Sequence, residues 1–314
     1  MVIRSVLCPV DFSEASRAAL HAAVRVARQF SASLHVLFVE DPLLASAAAS
    51  SPGVTDLKEE LKQFVASTPD LDPPAEPTLH VTVGQPADEI VRFAEREQID
   101  TIVMGTHGLT GVRKAFFGST TARVLKLSTT ALWMVPASAD ADKGRNLAGL
   151  GSILVLTDFG PAAGSAAEFA ARFAELVGAR LVLVHVLPAV SAPASWNARA
   201  QAAMECRTAE AHKLMCGAMC PLEKYGPAES IIVEGNIAER VADLARTHHS
   251  GLIVMGLDSE ARGTRPGSTA YAVICSAPVP VLAVPAPASD IRHPATKGRL
   301  QVSLAALGDE AVLR

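Results

Sequence analysis

The chain repeats its own sequence once, in the same order and nearly in register. Asp11 recurs as Asp158, and Gly84 recurs as Gly235. An internal repeat constrains the architecture because both copies are expected to adopt the same fold. Three pairs of segments correspond: SVLCPVDFSEAS at 5–16 and SILVLTDFGPAA at 152–163; SLHVLFVED at 33–41 and RLVLVHVLP at 180–188; and the segments ending in VMG at 81–105 and 231–256.

Within each copy, short apolar runs alternate with longer stretches of helical periodicity. Runs such as TIVMG and LVLVHVL are typical of parallel strands that are buried on both faces. The stretch 13–30 has apolar residues at helical spacing, with Ser13 placed to cap the helix. The pattern predicts an α/β fold with two tandem doubly wound, Rossmann-like units, each a five-stranded, mainly parallel sheet with helices on both faces. The predicted strands of the first copy are about 3–10, 33–40, 78–83, 100–105 and 131–136.

The repeat also predicts domain boundaries. We expect a first unit at 1–140 and a second at 152–286. The intervening residues 141–151 are small, polar and glycine-containing, as is typical of a linker. Residues 287–314 lie outside both copies and fit either a packed helix or a loose tail.

Composition argues against several classes of protein. The 28 Lys and Arg residues against 32 Asp and Glu give a net charge of -4, which offers no electrostatic basis for binding nucleic acid. Arg4, Pro9 and Asp11 interrupt the amino-terminal apolar stretch, so we expect no signal peptide and a cytoplasmic protein. The longest charge-free run, 266–289, contains Pro278, Pro280, Pro285 and Pro287, which would break a membrane-spanning helix.

The cysteines are sparse. Five in a chain of this length argue against a disulfide framework. His212, Cys216 and Cys220 would share one helix face, which leaves two alternatives open. One is a metal site, for which zinc would need a fourth ligand. The other, which we favour, is ordinary packing of small apolar side chains.

The segment MGTHGLTGVRKAFFGST at 104–120 combines a strand end, a glycine-rich loop and a helix start. Gly105 and Gly108 would let the backbone approach a ligand closely, because glycine has no Cβ. Gly118 leads into a helix whose first turn offers free N–H groups and the hydroxyls of Ser119, Thr120 and Thr121. Such a helix start suits a phosphate chain.

The spacing matches neither the Walker A nor the Rossmann dinucleotide fingerprint. It resembles the universal stress protein family, whose nucleotide-binding members carry G-2x-G-9x-G-[ST] after the fourth strand. Gly105, Gly108, Gly118 and Ser119 match that motif completely in the first copy. The resemblance extends over about 3–136 and more loosely over 152–285. The chain is therefore similar to a tandem member of the family.

This resemblance implies a site for ATP or another adenine nucleotide, with Mg²⁺ as its expected companion and no metal-ligating side chain. Asp11 would lie at the ribose, and a turn or cap role is its alternative. The other residues implied are Pro9, Val10 and Val39 at the adenine; Met104 and Gly105 at the nucleoside; and Gly108, Gly118, Ser119 and Thr120 at the phosphates. The family also implies dimerisation through its fifth strands, either between the two copies of one chain or between chains. No protein partner is implied.

The second copy departs from the motif. Ser259 replaces the second glycine, and the loop is shorter. The resemblance carries a second site over onto a matching set of positions, but we expect this site to be weaker or empty, because the serine adds a Cβ where the backbone would approach phosphate. The matching positions are Asp158, Val186, Met255, Gly256, Gly267, Ser268 and Thr269.

No nucleophile elbow or metalloprotease motif is present in the sequence, and no catalytic residue is predicted. The favoured hypothesis is an ATP-binding universal stress protein that acts as a stress-response regulator or nucleotide sensor. A slow ATPase or nucleotidyl-transferring enzyme is one alternative. A ligand-free, dimer-like scaffold is another.

Overall fold

The structure is a computed structural model that describes residues 3–48, 56–68, 76–106, 118–136, 147, 150–189, 197–257 and 268–286. Gly108 and Gly267, most of the predicted linker and all of 287–314 lie outside the described residues.

Ten strands lie in the described part of the chain. They are β1 (Ser5–Val10), β2 (Ser33–Glu40), β3 (Thr78–Val83), β4 (Thr101–Gly105), β5 (Ala131–Val135), β6 (Ser152–Leu156), β7 (Arg180–Leu187), β8 (Ala228–Glu234), β9 (Ser250–Leu257) and β10 (Val281–Pro285). The five strands predicted for the first copy are all present, with ends within two residues of the prediction.

The described α-helices connect these strands. They are α1 (Glu14–Phe30), α2 (Pro42–Ala48), α3 (Leu57–Ser67), α4 (Pro86–Arg96), α5 (Ser119–Leu127), α6 (Pro161–Val177), α7 (Asn197–Met219), α8 (Ile237–Thr247) and α9 (Ser268–Ser276), and a 3-10 helix follows α7 at Cys220–Tyr225. None of them is both long and apolar enough to cross a membrane.

The ten strands form one sheet in the order β3-β2-β1-β4-β5-β10-β9-β6-β7-β8. Each half is parallel and doubly wound, as the sequence predicted, and only the β5–β10 pair is antiparallel. In that pair Trp133 lies opposite Leu282, and these two residues also correspond in the sequence repeat. A pseudo-twofold axis therefore passes through this pair, as an isologous interface requires. The fifth strands of the two copies are thus joined within one chain.

Helices cover both faces of the sheet. The face covered by α1, α3, α6 and α7, here called the α1 face, buries one apolar cluster that continues from one copy into the other. Phe30 of α1 stacks on Phe173 of α6 across this junction, with ring centroids 5.6 Å apart. The opposite face, here called the α4 face, is covered by α4, α5, α8 and α9. Burial on both faces explains why the strands are apolar throughout.

The cysteine interpretation was wrong in part. Helix α7 ends at Met219, so Cys220 begins the following 3-10 helix. Cys216 and Cys220 are exposed and do not pack as small apolar side chains. Among the described residues, no group of three or more His, Cys, Asp or Glu side chains is placed to hold a metal ion.

Candidate functional site

The carboxyl ends of β1 and β4 form the switch point of the first copy, and the space outside them is here called the crevice. The strand order reverses there, because β2 lies on one side of β1 and β4 on the other. The β1–β4 ladder pairs Val6 with Thr101 and Leu7 with Ile102 but includes no later residue of either strand. Pro9 follows soon after and has no N–H to extend the ladder. Such a switch point is where open α/β sheets bind ligands.

Asp11 stands at the mouth of this crevice, directly after β1. Its Oδ1 accepts hydrogen bonds from the backbone N–H of Ser13, at 3.1 Å, and from the Ser13 hydroxyl. The same hydroxyl accepts from the N–H of Ser16, which confirms the predicted cap of α1. Asp11 therefore holds the turn into α1, while its Oδ2 has no hydrogen-bond partner in the described part of the chain.

Phe12 lies between Asp11 and Ser13 in the left-handed region, with φ of 60°. Its ring stacks on Phe38 of β2, with centroids 4.5 Å apart, and meets the edge of Phe64 of α3 at 5.4 Å. A non-glycine residue adopts this backbone conformation only when its surroundings hold it there. The aromatic contacts thus fix the turn that presents Asp11.

Gly105 ends β4 on the other side of the crevice. A Cβ built on it would lie 2.9 Å from the carbonyl oxygen of Ala15 in α1. The glycine was predicted to give a ligand room, but the described structure supplies a different reason for it. It lets the first turn of α1 pack directly on β4, which brings Asp11 and the end of β4 together.

The start of α5 is fastened to the same strand end by two hydrogen bonds. The Gly118 N–H donates to the carbonyl of Thr106 at 2.9 Å, and the hydroxyl of Thr121 donates to the carbonyl of Gly105, also at 2.9 Å. Gly118 is the N-cap residue and offers no side chain to the helix. The first-turn N–H groups, with exposed Ser119 and half-buried Thr120, therefore lie next to the end of β4.

Apolar residues form the floor of the crevice. Met104 is buried on the α4 face, and Val39 of β2 packs partly buried against the same cluster. By strand alternation, Pro9 shares that face with Leu7. Val10 differs, because its side chain is buried on the α1 face. Only the backbone of Val10 is therefore available to a ligand on the α4 face.

The second copy keeps this framework but loses several polar groups. Asp158 again follows the first strand, is exposed, and accepts from the Gly160 N–H at 2.9 Å. Gly256 is again required by packing, because its Cβ would lie 2.4 Å from Ala162. Three hydroxyl residues are missing: Gly160 stands for Ser13, Leu257 for Thr106 and Ala270 for Thr121.

The second crevice is also narrower at its base. The β6–β9 ladder continues to Val155 and Val254, one pair further than its counterpart in the first copy. Leu257 prolongs β9 and pairs with Pro285 of β10. Val186 and Met255 are buried, Thr269 is exposed, and Ser268 begins α9. The corresponding positions are therefore present, but the strands separate less.

Sequence reasoning gave Thr121 the wrong role and missed Thr106. The Thr121 hydroxyl was expected at the phosphates with those of Ser119 and Thr120, but it is buried and donates to the carbonyl of Gly105 instead. Both threonines are replaced by apolar residues in the second copy. A comparison of the two copies, position by position, was the signal that could have found them.

Comparisons with known proteins identify the family of this chain. The model of the Universal stress protein family matches residues 3–136 and 150–285. A universal stress protein of Methanocaldococcus jannaschii is 33% identical over 129 residues, which cover 39% of this chain and 76% of that protein. The protein YxiE of Bacillus subtilis, also a universal stress protein, is 27% identical over 150 residues, or 43% of this chain and 99% of its own.

A solved structure matches the whole arrangement. The universal stress protein from Archaeoglobus fulgidus has a TM-score of 0.59 and 20% sequence identity, and the match covers 90% of this chain and 98% of that one. This likeness supports the tandem fold. Because the family model matches both copies and covers most of the sequence, the chain belongs to the universal stress protein family as a tandem member.

Proposed function

We propose that the first copy binds ATP or another adenine nucleotide, with Mg²⁺, in the crevice between β1 and β4. The observation that carries this proposal is the pairing of two features across one opening. On one side, Oδ2 of Asp11 is a carboxylate oxygen without a described partner. On the other, α5 begins at Ser119, and its N-cap residue, Gly118, provides no side-chain cap. An acceptor for sugar hydroxyls and donors for phosphates thus follow the ends of two neighbouring strands.

The donor set fits the chemistry of the ligand. The first-turn N–H groups of α5 and the hydroxyls of Ser119 and Thr120 would bind phosphate oxygens, and Gly108 would extend that contact. Pro9, Val39 and Met104 would provide an apolar surface for adenine, with the backbone of Val10 beside them. Mg²⁺ would be held by the phosphates, because no metal-ligating side chain is predicted at this site.

We propose a regulatory or sensing role in the stress response rather than rapid catalysis. The described groups of the crevice are backbone N–H groups, hydroxyls and one carboxylate, which bind and orient. Oδ1 of Asp11 is already engaged by Ser13. Tight binding of a ground state does not by itself accelerate a reaction.

We propose that the second copy binds the nucleotide more weakly or not at all. It lacks the hydroxyl that fastens α5 to β4 in the first copy, because Ala270 replaces Thr121. Its strands also remain paired further into the crevice. The carried-over residues Asp158, Gly256, Gly267, Ser268 and Thr269 are therefore a secondary site at most.

The direct test is to denature the purified protein and to count the released nucleotide per chain by mass spectrometry. Titration calorimetry with ATP and Mg²⁺ would then compare Gly118→Leu with the matched variant Gly267→Leu. We expect about one binding site, lost in the first variant and kept in the second, with circular dichroism showing that both fold.

Other outcomes would favour the alternatives. If the folded protein released no nucleotide and gave no binding heat, the scaffold hypothesis would replace this one. Steady-state ATP hydrolysis faster than about 1 per second, within the usual range of enzymes, would instead favour an ATPase.

A further inference from the structure

Two histidines meet at the outer edge of the first copy, away from the crevice. His35 lies on β2 and His80 on β3, which is an edge strand of the sheet. The register places His35 opposite Thr78 and His80 opposite Leu37, so the histidines are diagonal neighbours. Nδ1 of His35 is 3.1 Å from Nε2 of His80.

The two rings meet through their nitrogen atoms. Their planes differ by 20° and their centroids are 5.3 Å apart, which suits an N–H···N hydrogen bond. A neutral imidazole has one N–H donor and one acceptor, whereas a protonated one has only donors. The bond therefore persists with no added proton or with one. With two added protons, donors face each other and two positive charges repel.

The second copy shows that histidine is not needed to hold this edge. The same register positions carry Val182, which belongs to the apolar cluster on the α4 face, and Ile231, which packs against that cluster. Val182 is fully buried. Strand β8 thus pairs with β7 without any titratable side chain at these two positions, whereas the pairing of β3 with β2 has a histidine at both.

The surroundings of the pair favour its neutral form. Burial lowers the pKa of His35 and of His80 below the ordinary value of 6.5, and the two rings meet Phe93 of α4 on this side. Repulsion from His35, and from Arg96 and Lys58, lowers the pKa of His80 further.

Other polar neighbours act on the pair more weakly. Glu97, at the end of α4, raises the pKa of both histidines, although burial outweighs it. The hydroxyl of Ser33 lies 3.5 Å from Nε2 of His35.

We propose that His35 and His80 form a proton-sensitive latch, which fixes β3 to the sheet at neutral pH and releases it when both rings are protonated. The sign follows from linkage. When folding lowers a histidine pKa, the unfolded or detached form binds protons more readily than the attached form. The attachment is then strongest above about pH 6.5, the ordinary value, and weakens as the pH falls through the lowered values.

The latch can be tested by hydrogen exchange of the β3 amides at pH 7.5 and pH 5.0, in a buffer containing EDTA. The exchange rates are converted to protection factors, so that the two pH values can be compared. Each unit by which attachment lowers a pKa weakens the protonated form about tenfold. We therefore expect β3 to lose protection at pH 5.0 relative to pH 7.5, because burial lowers the pKa of both histidines. Strand β8 of the same molecule is the internal control and should keep its protection.

Two double variants separate titration from packing. His35→Val with His80→Ile introduces the residues found at these positions in the second copy. His35→Asn with His80→Gln places amide groups, which do not titrate, near the positions of Nδ1 and Nε2. In either variant, protection of β3 should become independent of pH. An unchanged wild-type protection factor, or an equal loss in the variants that fold, would overturn the proposal.

The imidazole signals give a second readout that does not depend on strand opening. In NMR titrations, the ring signals assigned to His35 and His80 through the variants should have midpoints below pH 6.5, the ordinary value. Midpoints at or above that value would contradict the latch even if β3 became less protected in acid.

Discussion

Replacing Gly256 with alanine tests how closely a helix packs on the sheet beside the second crevice. Gly256 lies in β9, under the first turn of α6. A Cβ at this position would lie 2.4 Å from the carbonyl carbon and oxygen of Ala162 and 2.7 Å from the nitrogen of Ala163. These neighbours are backbone atoms, so no side-chain rotation can relieve the contact.

The expected cost follows from the distances. Carbon atoms normally meet at about 3.5–4.0 Å, so α6 would have to move by roughly 1 Å. Overpacking of this kind costs about 1–3 kcal/mol, and a backbone clash belongs at the upper end. We expect about 3 kcal/mol for Gly256→Ala. Gly105→Ala should cost about 1 kcal/mol, because its Cβ would lie 2.9 Å from Ala15.

Thermal and denaturant unfolding followed by circular dichroism would measure these effects. At about 2–4 °C per kcal/mol, Gly256→Ala should lower Tm by roughly 6–12 °C. The control is Gly164→Ala in α6, where a Cβ meets nothing within 4 Å. This change should stabilise the helix by about 0.5–1 kcal/mol. The reasoning would be refuted if Gly256→Ala unfolded like the wild type, or if the control lost as much stability.

Three further predictions concern the first copy. Thr121→Val removes the hydrogen bond to Gly105 and should cost about 1–2 kcal/mol in unfolding experiments, with weaker ATP binding by calorimetry. Asp11→Asn keeps an acceptor for Ser13 but loses the charge, so it should weaken ATP binding while Tm stays within about 2 °C. Burial raises the pKa of the Cys8 thiol far above its ordinary range. Ellman's reagent should therefore leave Cys8 unmodified until the protein unfolds but react in the native state with the exposed thiols of Cys206, Cys216 and Cys220. Cys275 should react more slowly than these three, because partial burial raises the pKa of its thiol.

The strands and the helix cap could be predicted from the sequence because their signals are local. An apolar run such as TIVMG is buried on both faces wherever it stands in a parallel sheet. Ser13 and the N–H of Ser16 that it accepts from are only one turn apart. The repeat then predicted two units of the same fold, since each copy independently shows the same alternation of strands and helices.

The reasons behind individual site residues could not be predicted, because the partners are distant in sequence. Gly105 is required by Ala15, which belongs to a helix far earlier in the chain. The diagonal contact between His35 and His80 depends on strand register, which the sequence pattern does not fix to the residue. Val10 is apolar, as a residue that lines an adenine pocket would be, but strand alternation places its side chain on the α1 face.

The antiparallel pairing of β5 with β10 determines where the two crevices open. Strands of the first copy run one way and strands of the second run the opposite way, because only this central pair is antiparallel. Their carboxyl ends therefore lie at opposite rims of one continuous sheet. A single small ligand cannot bridge the two crevices, and a partner that docks over one leaves the other uncovered. One chain could thus respond to two separate encounters, one at each rim.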